Sequence, residues 1–336
     1  MKVTVTKYLN VRVGKPSLNA PCYQYLAPGS EIEVEDQSYT GDSFDGINTW
    51  LKDRAGNYYW SGGVKSIQFF ELAIPHSTII NYNSLVKSTL GPRILGNGVN
   101  VALLDSGINV DHPDLNGAVV QSLSFVDGQN ATDDPWGHGT LMAGFIGGRT
   151  VSTTGILGVA PKCNLINLKV VANNGVTKMM SLKNCLNHII NNQQMLKIDI
   201  INLSISISDL TFITKELSTL AAMEIKVIAA AGTEEILRMN TVRLLAQHPR
   251  VDGVGVTSDI QFGSTGTLPA ALSCFYQNKK LFSTSNNGGY QEVSGDSIFT
   301  AITSGLAAIA IQSGQSLVSV YISRSLFTPD IIAPFK

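Results

Sequence analysis

Surplus charge, paired cysteines and long apolar runs are all missing from this 336-residue chain, and each absence removes a class of protein. Lysine and arginine number 24 against 25 aspartates and glutamates, a formal net charge of −1. That balance provides neither a basic face for nucleic acid nor an acidic tail. No apolar stretch approaches the ~20 residues a membrane-spanning helix needs. Cys22, Cys163, Cys185 and Cys274 are scattered without CxxC spacing, so they read as buried thiols rather than a disulfide framework or a zinc site. The opening MKVTVTKYLNVRVG has no apolar core and no small-residue cleavage site of an export signal. The expectation is a cytoplasmic protein, with leaderless export as the alternative.

What is present falls into two regions. Residues 1–67 hold short strand candidates, VTVTKYLNVRV, SEIEVED, TWLKDR and YYWSGGV, punctuated by APGS, YTGDSFDG and RAGN. β-Branched and aromatic residues between turn clusters predict a small all-β barrel or sandwich. Residues 68–96 read as a less regular connector. From residue 97 to 336 the pattern becomes α/β. VNVALL, NLINLKVV, IDIINLSI and KVIAAA are continuous apolar runs of the buried parallel-strand type. Between them KMMSLKNCLNHIINNQQML has helical spacing, and a second helix covers FITKELSTLAAM. Strand–helix–strand order predicts a mostly parallel sheet with helices on both faces, a three-layer fold whose ligands sit at the strands' carboxyl ends.

Three residues at such ends carry the chemistry. Asp105 follows VALL directly, where a turn aspartate is the ordinary explanation. His138 sits in DPWGHGTLMAGF between two glycines, just before a helix; none of the other four histidines has that setting. Ser297 in EVSGDSIFTAITSGLAAIA opens a helix, where a capping serine is common. Together they are the set that acyl transfer requires. A hydroxyl needs a base to take its proton, and an imidazole needs a carboxylate to fix its tautomer. A helix N-terminus adds a backbone N–H for the developing oxyanion.

On these blocks the chain resembles the subtilisin-like serine peptidases (subtilases, peptidase S8 type). VALLDSGI is similar to the family's Asp block, GHGTLMAGFIGG to its His block and GDSIFTAITSGLAAI to its Ser block. GILGVAPKCNLINLKV, DIINLSIS and VIAAAG match the connecting segments in order. The resemblance implies a serine endopeptidase of subtilisin-like fold acting on protein or peptide substrates. Asp105 would orient the base, His138 would be general base and acid, and Ser297 the acylated nucleophile. Asn202, Leu203, Ser204, Ile205 and Ser206 would line the cleft and bind extended substrate backbone.

The pattern also departs from the family. Thr233 stands where an asparagine usually completes the oxyanion site; its ordinary reading is a helix cap before Glu234 and Glu235. Asp296 replaces a threonine beside the nucleophile, where it either caps the helix or opposes the oxyanion. Ser206 replaces a glycine, implying a narrower pocket. These changes predict restricted activity, and they support the alternative of an impaired subtilase-fold binding or scaffold protein. Asp114 in DHPDL matches a family calcium ligand, but one carboxylate is little for a site of ~6–8 oxygens. No cofactor is therefore expected, with Asp114 the single calcium candidate. LNVRVGKPS, GSEIEVED and TWLKDRAGNYYW are similar to a bacterial SH3-like (SH3b) domain, which implies a peptide or peptidoglycan ligand. Tyr25, Trp50, Tyr58, Tyr59 and Trp60 would supply either its groove or its core.

Overall fold

The structure is a computed structural model that describes residues 2–5, 7–35, 37–66, 70–72, 80–81, 94–150, 155–257, 272–277, 280–315 and 327–329. The chain divides after residue 69 into two compact units. Most of the connector expected at 68–96 lies outside the described residues.

The N-terminal unit is antiparallel throughout. It holds β1 (Lys2–Val5), β2 (Leu9–Val13), β3 (Cys22–Leu26), β4 (Glu31–Glu33), β5 (Tyr39–Phe44), β6 (Ile47–Lys52), β7 (Asn57–Trp60) and β8 (Val64–Ser66). One sheet has the order β3-β2-β7-β6-β5 and the other β4-β1-β8. Val3 and Val5 of the smaller sheet share a core with Val11, Trp50, Leu51, Tyr59 and Trp60 of the larger one. Both buried indoles keep a partner: Trp50 Nε1 donates to the Asp42 carbonyl at 2.9 Å and Trp60 Nε1 to that of Ile47 at 3.0 Å. Trp50, Tyr59 and Trp60 are therefore core residues, Tyr58 packs at the core's edge, and Tyr25 is exposed. A small domain has too little interior to leave its largest apolar rings in water.

The larger unit begins with two short pairs, β9 (Phe70–Leu72) and β10 (Ile80–Asn81), whose partners come later in the chain. Its first long strand is β11 (Asn100–Asp105), followed by β12 (Val119–Ser124) and α1 (His138–Gly147). Next come β13 (Ile156–Leu157), β14 (Asn164–Lys169), α2 (Met179–Leu196), β15 (Ile200–Leu203) and α3 (Thr214–Ala222). Then follow β16 (Lys226–Gly232), α4 (Glu234–Arg238), β17 (Val251–Thr257) and β18 (Leu272–Gln277). The unit closes with β19 (Leu281–Thr284), β20 (Tyr290–Val293), α5 (Asp296–Ser313) and β21 (Phe327–Pro329). The central sheet is parallel, ordered β12-β14-β11-β15-β16-β17-β18. The four apolar runs became β11, β14, β15 and β16. β12, β17 and β18 lacked that signal because VVQSLS and VDGVGVT dilute it with polar residues and glycine.

Alternation along each strand separates the layers. Ile201 and Leu203 point into a core with Leu182, Cys185, Leu186 and Ile189 of α2 and Leu217 and Leu220 of α3. Each such side chain contributes ~1.5–3 kcal/mol on burial. Asn202, between them, points the other way and meets Ser304 of α5. Burial also raises the thiol pKa values, Cys163 to about 12 and Cys185 well above its ordinary value, so both are inert apolar filler. The chain leaves β11 toward one edge of the sheet and later continues from β15 toward the other. The point of reversal puts a crevice at the carboxyl ends of β11 and β15.

Candidate active site

Asp105 is the last residue of β11 and nearly fully buried. Its carboxylate accepts the Ser106 N–H at 2.7 Å and faces Nδ1 of His138 at 2.8 Å and 3.0 Å through its two oxygens. His138 opens α1, so its first-turn position aims the ring back at β11. Gly139 permits this approach: a Cβ there would lie 2.0 Å from the Gly107 carbonyl oxygen. Behind the pair, Asp134 accepts Ser106 Oγ at 2.7 Å, Gly137 N–H at 2.9 Å, Thr140 N–H at 2.8 Å and Thr140 Oγ1 at 2.6 Å. Ser106 Oγ in turn accepts the Gly139 N–H at 2.9 Å. The start of α1 is thus stitched to the end of β11 by a satisfied polar network. Burial disfavours the imidazolium, but the adjacent Asp105 carboxylate, with Asp134 and Asp296 adding to it, outweighs burial. His138 therefore holds its proton above the ordinary histidine pKa. Trp136, 46% exposed, stacks on the His138 ring with centroids 4.9 Å apart.

Ser297 is the second residue of α5, after Gly295 at φ 129° and ψ 170°, a conformation only glycine adopts without strain. The N–H groups of that first turn have no intrahelical acceptor. Ser297 Oγ donates to the Ser204 carbonyl at 3.2 Å, and Ser204 Oγ donates to the Ser297 carbonyl at 2.9 Å. The segment after β15 is thereby clamped to the start of α5. Asn202 Nδ2 donates to Ser204 Oγ at 3.0 Å, and Asn202 Oδ1 accepts Ser304 Oγ at 2.9 Å.

The predicted residues separate by role. Asp105 and His138 meet directly, and Ser297, in the first turn of α5, bonds to the Ser204 carbonyl. Asn202 and Leu203 are fully buried inside the sheet, whereas Ser204 to Ser206 run on past its edge and only Ser206 is exposed. Thr233 occupies the N-cap position of α4, but its side chain makes no capping bond. Asp296 neither caps α5 nor stands alone: its Oδ2 lies 3.0 Å from Nε of Arg243. Asp114, the calcium candidate, accepts the Ile156 N–H at 2.7 Å and the Tyr290 hydroxyl at 2.9 Å, both through Oδ2. Among the described residues no cluster of His, Cys, Asp and Glu forms a metal cage, and no helix is long and apolar enough to cross a membrane.

Sequence reasoning missed Asp134, Trp136 and Arg243. Asp134 had a signal, an acidic residue just ahead of a helix start. Trp136 stood two residues from His138, where an aromatic is usually taken for core. Arg243 had none.

Comparison with known proteins settles the family. The subtilase family profile matches residues 96–328, well over half of the chain. This chain is a subtilase. It is 30% identical over 234 residues to subtilisin DY of Bacillus licheniformis, covering 69% of this chain and 83% of that protein. With subtilisin E of Bacillus subtilis (strain 168) it shares 33% over 224 residues, 64% of this chain but only 56% of the relative. Among solved structures, sphericase superposes with a TM-score of 0.56 at 26% identity, over 68% of this chain and 82% of that one. Membership in a protease family implies protein or peptide substrates.

Proposed function

We propose that this subtilase is a serine endopeptidase of restricted specificity, working through an acyl-enzyme. The observation that carries the reading is the buried Asp105 carboxylate held on both oxygens to His138 Nδ1, in a chain that also sets a serine in the first turn of α5. His138 Nε2 takes the Ser297 proton as Oγ bonds to the substrate carbonyl carbon. Rotation about the Ser297 Cα–Cβ bond exchanges the Ser204 carbonyl for that base; such contacts commonly tighten only with substrate bound. The oxyanion is met by the Ser297 N–H and the Thr233 hydroxyl, which is not used in capping. The C–N bond breaks, the amine leaves with the proton from His138, and water repeats the sequence to release the acid. Ser204 to Ser206 offer backbone groups to an extended substrate.

A fluorophosphonate probe tests this reading. Expected is covalent labelling of the wild type at Ser297 and none of Ser297→Ala. Absence of labelling in both would leave the scaffold alternative. For the N-terminal unit we propose an SH3b-like role in holding peptide or peptidoglycan. Exposed Tyr8, Tyr23, Tyr25 and Phe44 are its available aromatics, since Trp50 and Trp60 belong to the core. Deleting residues 1–67 should lower cleavage or soluble yield, and unchanged values for both would discard the idea.

A further inference from the structure

The crevice beside Ser297 has walls of known residues. β15 and β16 are hydrogen-bonded neighbours, with Leu203 opposite Ala229. Ser204–Ser206, which continue β15, and Ala231–Thr233, the end of β16 and the residue after it, form two sides, and the first turn of α5 forms the third. Arg243 touches all three. Its backbone N–H donates to the Ala231 carbonyl at 2.8 Å, which fixes its base at the end of β16. Its Nη1 donates to Ser206 Oγ, and its Nε lies 3.0 Å from Asp296 Oδ2. The side chain therefore spans the crevice from wall to wall.

We propose that Arg243 determines specificity by filling this crevice, so that the residue contributing the attacked carbonyl must carry a small uncharged side chain. This rests on the serine-peptidase reading of Ser297. The exposures give the pair its direction: the Asp296 side chain is 6% exposed and that of Arg243 31%, so the carboxylate faces inward and the guanidinium toward the mouth. The Nε–Oδ2 contact is out of line for a hydrogen bond, so Asp296 Oδ2 is held by charge alone. An aromatic substrate side chain could enter only by displacing the guanidinium, leaving a buried carboxylate without a counter-charge. A lysine or arginine side chain meets a like charge. Glycine, alanine or serine fits in front of Arg243 without moving it. The same pair explains how Asp296 is tolerated beside a nucleophile that must develop negative charge: its cation stands next to it.

Fluorogenic peptides differing only in the residue before the reporter amide test this on the full chain. Expected is kcat/KM at least tenfold higher for Ala than for Phe or Lys. In Arg243→Ala/Asp296→Asn, which removes the cation without stranding the carboxylate, the Phe:Ala ratio should rise at least tenfold while Ser297 still labels. A wild-type preference for Phe or Lys, or an unmoved ratio in a labelling-competent double variant, overturns the assignment. Affinities of Ser297→Ala for peptides ending in Ala or Phe, with and without the double substitution, read the same order without turnover. Absence of labelling in the wild type counts against the peptidase reading, and in that case the binding order decides the role of Arg243; an order unchanged by the double substitution overturns it.

Discussion

The two sides of the crevice are built on different plans. On the Asp105–His138 side both Asp134 oxygens and both Asp105 oxygens have partners, and every partner lies between Asp105 and Thr140. On the Ser297 side the pieces come from three distant segments. Ser297 and Asp296 sit on α5, Ser204 and Ser206 follow β15, and Arg243 precedes β17. The first side is locked by satisfied hydrogen bonds. The second is balanced by a charge pair and by a threonine hydroxyl free to reorient. A satisfied network holds one geometry; a side chain held by charge alone is less tightly oriented.

Breaking the locked side should have the largest effect. Asp105→Asn removes the charge that orients and protonates His138, and kcat should fall by roughly 10⁴. The sign of the pH effect follows from the raised His138 pKa. On the peptidase reading His138 works only when neutral, so activity should fail on the acid side below that raised value. Asp105→Asn should move the acid limb of the residual activity to lower pH.

Asp134→Ala tests whether the network or the single carboxylate does the positioning. It leaves Ser106, Thr140 and the Gly137 N–H without their buried acceptor, at a cost of about 3 kcal/mol in urea unfolding. Loss of activity without loss of stability would show that the network serves the base alone.

Thr233 sharpens the comparison from the other side. If its hydroxyl meets the oxyanion, Thr233→Ala should lower kcat by roughly tenfold or more with little change in KM, and Thr233→Asn should recover or exceed the wild-type rate. An unchanged kcat in the alanine variant would leave the Ser297 N–H as the only donor.

The smallest effect belongs to Trp136. Its stacked ring favours the imidazolium by about 0.5–1 kcal/mol, as exposed cation–π contacts do. Trp136→Ala should therefore shift the acid limb down by roughly half a pH unit, since ~1.36 kcal/mol corresponds to one unit. Trp136→Phe should retain most of the shift.

Much of this was legible in residue order. The runs ending at Asp105, Leu203 and Gly232 read as buried strands because both faces of a parallel sheet are covered, so apolar residues are continuous there. Gly295 and Gly139 marked the two helix starts where backbone had to turn or approach closely. Asn202 was read, by resemblance, as the first of the cleft-lining residues Asn202 to Ser206. In the structure the pleat sets its amide oxygen to accept Ser304 Oγ. The cap expected of Thr233 was right about position and wrong about the bond, because helix geometry fixes where a cap residue sits and not which way its hydroxyl turns.

The sequence by itself determined the α/β class, the family, and the residue types that stand at the ends of β11, α1 and α5. Those features rest on local periodicity and on motifs in which neighbours in the chain act together. Only the tertiary structure decided that Asp296 has a cation beside it and that Arg243 joins Ser206 to Asp296. A charge pair between residues 53 positions apart leaves no periodic trace, because Coulomb attraction depends on where the fold brings two side chains and not on how far apart they are along the chain.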